Sequence, residues 1–305
     1  MIVGKIKKEG SFLFIISFPF LFLSSFLKMC SKAKSTFTLT YGDCAENHRG
    51  MQMIGKMGSA GFTHAELLVA QAWFTSRGIE TTVFELDGRP AAESAAVGGG
   101  GAAATVTKTE KEKEKAYLLV ARGGVNAILA EMGKTADDLF EEQAALDMDK
   151  KAFMYGRVVN KHARWNLCFG PEAQEANYEK GEGTIVPFDA VPYLEHIRQR
   201  LPVILGAAAE GLVVEGNYYY DSAKCGIGYH GDSERTKVVG VRLGKTMPIC
   251  FQWYHKGEPV GENMRFELGH GDLYVMSDKA VGRDWKKRSA FTLRHAAGCE
   301  KFTKV

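Results

Sequence analysis

Gly226-Ile-Gly-Tyr-His230-Gly-Asp232-Ser-Glu234-Arg235 is the stretch from which the rest of the chain is read. In an extended segment side chains alternate between faces, so His230 and Asp232 project to the same side and Gly231 leaves room behind them. One imidazole and one carboxylate then converge on a point. These are two of the three donors in the 2-His-1-carboxylate face that holds non-haem Fe(II). A lone H-x-D triplet is a weak signal that also arises by chance.

A second histidine lies on a later strand pattern, Ser289-Ala-Phe-Thr-Leu-Arg-His295. Alternation puts Phe291, Leu293 and His295 on one face, and the apolar face is expected to look inward. Before the H-x-D lies Asn217-Tyr-Tyr-Tyr220, whose amide and phenol groups suit hydrogen bonding to an acidic co-substrate. Taken alone, each has an ordinary alternative: a core histidine for His295, and a turn with aromatic packing for residues 217–220.

Over about residues 155–305 the chain resembles the AlkB family of Fe(II)/2-oxoglutarate-dependent dioxygenases. The resemblance rests on Tyr155-Gly156-Arg157, Ile185-Val-Pro-Phe188 with Val191-Pro192, Asn217-x-Tyr219, Ile227-Gly-x-His230-x-Asp232-x-Glu234, His270-Gly-Asp272 and His295, in the family's order. It implies a mostly β fold, a double-stranded β-helix (jelly roll) over 149–305. It implies that His230, Asp232 and His295 bind Fe(II), with His230 and Asp232 at the catalytic centre. It also implies that Asn217 and Tyr219 hydrogen-bond 2-oxoglutarate, with Tyr220 as the register alternative for the tyrosine. The reaction implied couples decarboxylation of 2-oxoglutarate by O2 to hydroxylation of a carbon; an N-methyl group so hydroxylated is lost as formaldehyde. The substrates implied are alkylated DNA or RNA, hence a DNA-repair demethylase. A 2-oxoglutarate-dependent hydroxylase of a protein or small molecule is the alternative within the class, and an inactive jelly-roll binding module the alternative outside it.

The far carboxylate of 2-oxoglutarate needs a cation, and here the chain departs from the family. AlkB-like proteins carry two arginines on the strand after the last histidine, whereas this chain ends Cys299-Glu-Lys301-Phe-Thr303-Lys304-Val305. Read as a strand, this segment puts Lys301 and Thr303 on one face as the candidate pair, with Lys304 behind them. Arg288 and Arg294 precede His295 and fall on its polar face, so they read as surface residues. Asp284 rivals His295 as third metal ligand, although Gly282-Arg-Asp284-Trp reads as a turn. His270 in Gly-His-Gly-Asp likewise reads as a turn residue.

The remaining sequence sets bounds. At 305 residues and 45% hydrophobic the chain has enough apolar material for a real core. A formal charge of +3 allows an anionic partner without arguing for one, and no stable protein partner can be inferred. The six cysteines show no C-x-x-C, so neither a zinc knuckle nor a disulfide framework is indicated. Residues 1–28 read either as an apolar targeting segment or as sequence upstream of a true start at Met29. The second case implies a cytoplasmic or nuclear protein; the first implies a membrane-anchored, secretory or organellar one. Residues 36–148 read as a small α/β domain, interrupted at 89–115 by a low-complexity insertion. Basic and aromatic residues at Lys150-Lys151, Arg157, Lys161-His162, Arg164-Trp165 and Trp285-Lys-Lys287 are candidates for phosphate contact and base stacking.

Overall fold

The computed structural model describes residues 32–89 and 115–305, so the apolar segment 1–28 and all but the ends of the 89–115 insertion lie outside the described residues. The first strands are β1 (Thr36–Gly42), β2 (Cys44–Glu46), β3 (Met53–Gly55), β4 (Thr81–Glu85) and β5 (Tyr117–Ala121). Then come β6 (Lys151–Met154), β7 (Arg157–Asn160), β8 (Trp165–Gly170), β9 (Ile185–Pro187) and β10 (Val213–Tyr219). The last six are β11 (Gly226–His230), β12 (Val238–Gly244), β13 (Met247–His255), β14 (Glu258–Leu268), β15 (Leu273–Met276) and β16 (Thr292–Gly298). The fold is mostly β. Eight strands form one sheet in the order β4-β5-β15-β12-β1-β10-β8-β9, four form a second in the order β11-β16-β13-β14, and β2-β3 and β6-β7 pair as hairpins.

The small α/β domain expected at 36–148 is not a separate sheet. β1 lies between β12 and β10, while β4 and β5 complete one edge of the same eight-stranded sheet through β15. Strand order is set by pairing between distant segments, which local periodicity does not report. β4 and β5 are antiparallel neighbours, so the low-complexity insertion falls in the connection between two paired strands.

Helices cover one face of the large sheet. They are α1 (His64–Thr75), α2 (Gly124–Leu129), α3 (Ala136–Ala144) and α4 (Pro192–Leu205). α1 and α3 start at capping boxes, Thr63 with Glu66 and Thr135 with Asp138, and α4 starts with a proline in its first turn and stops at Gly206. Their apolar residues, including Phe74, Leu139 and Leu201, pack with Phe37, Leu39, Tyr41, Val239 and Leu243 of the sheet. The opposite face meets the four-stranded sheet: Leu118, Val120, Tyr274 and Met276 share a core with Ile249, Phe251, Trp253 and Leu293. Helices, large sheet and small sheet are thus three layers. Among the described residues no helix is long and apolar enough to cross a membrane.

The face of the large sheet turned towards the small one is partly polar although buried. Asn166, Asn217, Thr38 and Arg242 are successive cross-strand partners on β8, β10, β1 and β12, and all four are buried. A continuous row of polar side chains inside a protein is costly unless they bind one another or a ligand.

After β16 the chain does not continue as the expected strand. Gly298 has φ +119°, and Glu300–Thr303 form a short helix, α6. Its Phe302 ring sits against Gly226, where a Cβ would clash with it. β11 is an edge strand, and α6 covers it.

Candidate metal centre

His230 ends β11 and His295 sits opposite it as a direct cross-strand partner on β16. The ladder shifts register between Ile227 and His230, a local irregularity of the kind that re-aims a side chain. Asp232 lies two residues further on, its backbone N–H donating to the Val281 carbonyl at the end of α5 (Asp278–Val281). Gly231 between them is required by packing. A Cβ there would overlap the Gly282 carbonyl group and crowd the Cβ of Trp285.

The three side chains close on one point. Asp232 Oδ1 is 3.4 Å from His230 Nε2 and 3.5 Å from His295 Nε2, and one donor atom from each residue lies within 4.8 Å of the others. Ligands about 2.1 Å from one ion and at right angles are separated by roughly 3 Å, so this set can hold a metal ion with small adjustment. His230 Nδ1 lies 2.8 Å from the Gly228 carbonyl, a contact that fixes the ring with Nε2 towards the centre. His295 and Asp232 are buried, and His230 is partly so. Burial, the neighbouring His230 and Arg235 all lower the His295 pKa, favouring the neutral imidazole that a metal requires. Asp284, the rival ligand, is elsewhere. It pairs with Lys279 at 2.8 Å in the turn that follows α5.

Behind the triad, the buried Arg235 gathers the carboxylates. Its Nε lies 3.5 Å from Asp232 Oδ2, while Nη2 bonds Glu215 Oε2 and lies 2.9 Å from Glu234 Oε1. Burial alone would raise the Glu215 pKa, but the Arg235 charge outweighs it and holds that carboxyl below its ordinary value. Arg235 thereby occupies the outer oxygen of Asp232 and leaves Oδ1 facing the two histidines.

The triad opens into a cleft of about 550 Å³ between the two sheets. Asn217 and Tyr219 line it from β10, as alternation required. Asn217 is heavily engaged: its Oδ1 accepts from Arg164 Nε at 2.6 Å and Asn166 Nδ2 at 2.5 Å, and its Nδ2 donates to Glu215 Oε1 at 2.9 Å. Tyr220 turns away, donating its hydroxyl to the His162 carbonyl at 2.6 Å and stacking on Trp165. Nearer the mouth are Glu46, His48 and Met57, with Trp285 and Lys286 also in the lining. Burial, with Glu234 and Glu215 nearby, raises the Glu46 carboxyl to about 7.

Lys301 and Thr303 are not in this cleft. Both lie on α6, with Lys301 exposed and the Thr303 hydroxyl 3.4 Å from the Cys299 carbonyl. Alternation placed them on one face only under the premise of a strand, which Gly298 and the turn of α6 remove. Arg294 stacks its guanidinium 3.8 Å from the Tyr254 ring centroid and Arg288 donates to the Lys256 carbonyl, so neither lines the cleft. The cation that does reach it from the large sheet is Arg242. Its sequence signal is a lone charge within Val238-Val-Gly-Val-Arg-Leu243, an otherwise apolar strand.

The expected basic surface is only partly present. Lys161 is buried and donates to Asn47, and Trp165 is covered by Lys150 and Tyr220. Lys151 and Arg157 are exposed on the β6-β7 hairpin, with Tyr155 91% exposed at its tip.

No family model matches the chain. It is 46% identical over 274 residues to uncharacterized protein R156 of Acanthamoeba polyphaga mimivirus, a match that covers 90% of this chain and 100% of the viral protein. Identity at that level across nearly both full lengths makes this chain a member of the same family as the mimivirus protein.

Proposed function

We propose that the protein is an Fe(II)- and 2-oxoglutarate-dependent dioxygenase of the AlkB type that demethylates alkylated nucleic-acid bases. The observation that carries this reading is the convergence of His230, Asp232 and His295 at one wall of a cleft between two β-sheets. Two sheets enclosing such a triad, antiparallel except for the parallel β8-β9 pair at one edge, are consistent with a double-stranded β-helix core, extended here by the outer strands of the larger sheet. Two imidazoles and one carboxylate are the donor set of non-haem Fe(II) sites that keep positions open for co-substrate and oxygen. With Fe(II) and 2-oxoglutarate bound, the chemistry supplied is oxidative decarboxylation to succinate coupled to hydroxylation of a substrate carbon.

The chain's own residues have separable tasks in this reading. His230 and His295 present their Nε2 atoms to the centre, and Arg235 orients Asp232. Tyr219 offers a buried hydroxyl for the co-substrate, its pKa raised by burial so that it stays a hydrogen-bond donor. The partly buried Trp285 at the cleft provides an aromatic face for a base, held by its Nε1 donating to Ser233 Oγ at 2.9 Å. The exposed cations Arg49 and Lys286 border the same opening and suit phosphate contact.

A panel of N-methylated DNA and RNA oligonucleotides, incubated with Fe(II) and 2-oxoglutarate and read by mass spectrometry, tests the substrate. Loss of one methyl mass from at least one oligonucleotide is the expected result. Turnover of 2-oxoglutarate with every oligonucleotide unchanged would move the substrate to a protein side chain or small molecule.

A further inference from the structure

The cleft contains two buried guanidinium groups that are treated oppositely. Arg235 is surrounded by Asp232, Glu215 and Glu234. Arg242 is 1% exposed, and among the described residues no carboxylate lies within ion-pair distance of it. Its Nη1 donates to Thr38 Oγ1 at 2.8 Å, and its buried Nε has no hydrogen-bond partner. A guanidinium cannot escape the cost of burial by losing its proton, so an unpaired one inside a protein is strongly unfavourable. Asp232, Glu215 and Glu234 are already committed to Arg235, and Asp272, whose backbone pairs with that of Arg242, gives its carboxylate to Arg122. The missing partner of Arg242 is therefore an anion that enters from the cleft, which Arg242 lines together with Thr38 and Tyr274.

We propose that Arg242, assisted by Thr38, binds the distal carboxylate of a dicarboxylic 2-oxo acid, and that the terminal segment 299–305 has no part in this. The planar guanidinium fork matches a carboxylate, and charge-assisted hydrogen bonds of this kind are the strong ones. Arg242 stands on the large sheet and the two histidines of the triad on the small one, so a ligand lying across the cleft can meet both with opposite ends. A 2-oxo monocarboxylate would satisfy the triad and leave Arg242 unpaired. The site thus selects for a second carboxylate. The identity of the ligand's other end rests on the dioxygenase reading; the anion site rests on Arg242 itself.

The test is calorimetric titration of anaerobic, Mn(II)-loaded protein with 2-oxoglutarate and with 2-oxopentanoate, which carries a methyl group in place of the distal carboxylate. Wild-type protein should prefer 2-oxoglutarate on the order of 10- to 100-fold, the ratio expected for one hydrogen-bonded charged group. Arg242→Met should abolish the preference, Arg242→Lys should retain part of it, and Lys301→Ala should leave it unchanged. Equal binding of both ligands by the wild type, or an undiminished preference in folded Arg242→Met, would overturn the assignment. Should Arg242→Met not fold, the wild-type comparison and Thr38→Val, expected to weaken 2-oxoglutarate but not 2-oxopentanoate, carry the same decision. Glutarate binding to metal-free protein that depends on Arg242, in a protein whose triad takes up no Mn(II), would support the anion site and contradict the dioxygenase reading.

Discussion

His230 and His295 face one another as cross-strand partners on β11 and β16, with ring centroids 4.5 Å apart and both Nε2 atoms directed at Asp232 Oδ1. Sheet pairing fixes the distance between the two imidazoles, while Asp232 follows β11 in the loop and is held there by its N–H bond to the Val281 carbonyl. Arg235 then fixes the carboxylate from behind.

Removing any one donor should remove the metal and keep the fold. His230→Ala, Asp232→Asn and His295→Ala are each expected to weaken Mn(II) binding, read by electron paramagnetic resonance, by at least about 100-fold. The melting temperature of the metal-free proteins should stay within a few degrees of the parent, because the triad borders a cleft and is not the centre of an apolar cluster. A variant that binds Mn(II) as the parent does would remove that residue from the ligand set.

Arg235 is a positioning residue, and conservative replacement should separate its charge from its geometry. Arg235→Lys retains a cation among Asp232, Glu215 and Glu234 but loses the planar fork, so metal affinity should fall roughly 10- to 100-fold with modest loss of stability. Arg235→Met leaves three carboxylates without their counter-charge and should cost about 3–5 kcal/mol of stability, measured by urea unfolding. Unchanged metal affinity in Arg235→Lys would show that Asp232 is oriented without it.

His270 gives the fold a pH dependence at some distance from the metal. It lies in the turn before β15, accepts a hydrogen bond at Nδ1 from the Gly244 N–H at 2.9 Å, and has its pKa lowered to about 4 by burial and the Lys32 charge, against an opposing effect of Asp272. The unfolded chain, with an ordinary histidine pKa of about 6.5, binds more protons than the folded one between the two values. The contribution of this group to stability is therefore complete above about pH 6.5 and is lost as pH falls towards 4. His270→Gln should flatten this part of the stability curve; an unaltered slope between pH 6.5 and 4.5 would show that other groups govern it.

The candidate metal ligands were legible because each carried a local signal: H-x-D in an extended segment, and a histidine in register with Leu293 on a strand. Asn217 and Tyr219 line the cleft, with Tyr219 buried and Tyr220 turned outward to the His162 carbonyl. What local pattern could not supply was strand order. Thr36-Phe-Thr-Leu-Thr-Tyr41 alternates cleanly, yet the strand is buried on both faces, its threonines lying on the side of the small sheet and the cleft. Its place between β10 and β12 brings Thr38 to Arg242 across a separation that only the folded sheet closes. For the same reason local pattern points to a cation near the chain's end, whereas the buried arginine that the sheet brings to the cleft, Arg242, lies ten residues after Asp232. The terminal segment failed for a local reason: alternation carries no information about faces once a left-handed glycine and a helical turn replace the strand.

The most direct measurement of the central claim is succinate formed from 2-oxoglutarate by protein reconstituted with Fe(II) under air, in the presence of an N-methylated oligonucleotide. The account predicts succinate and formaldehyde in equal amounts, both abolished by chelation and by His295→Ala. Succinate no higher than in the His295→Ala control, from protein shown to hold its iron, would contradict it.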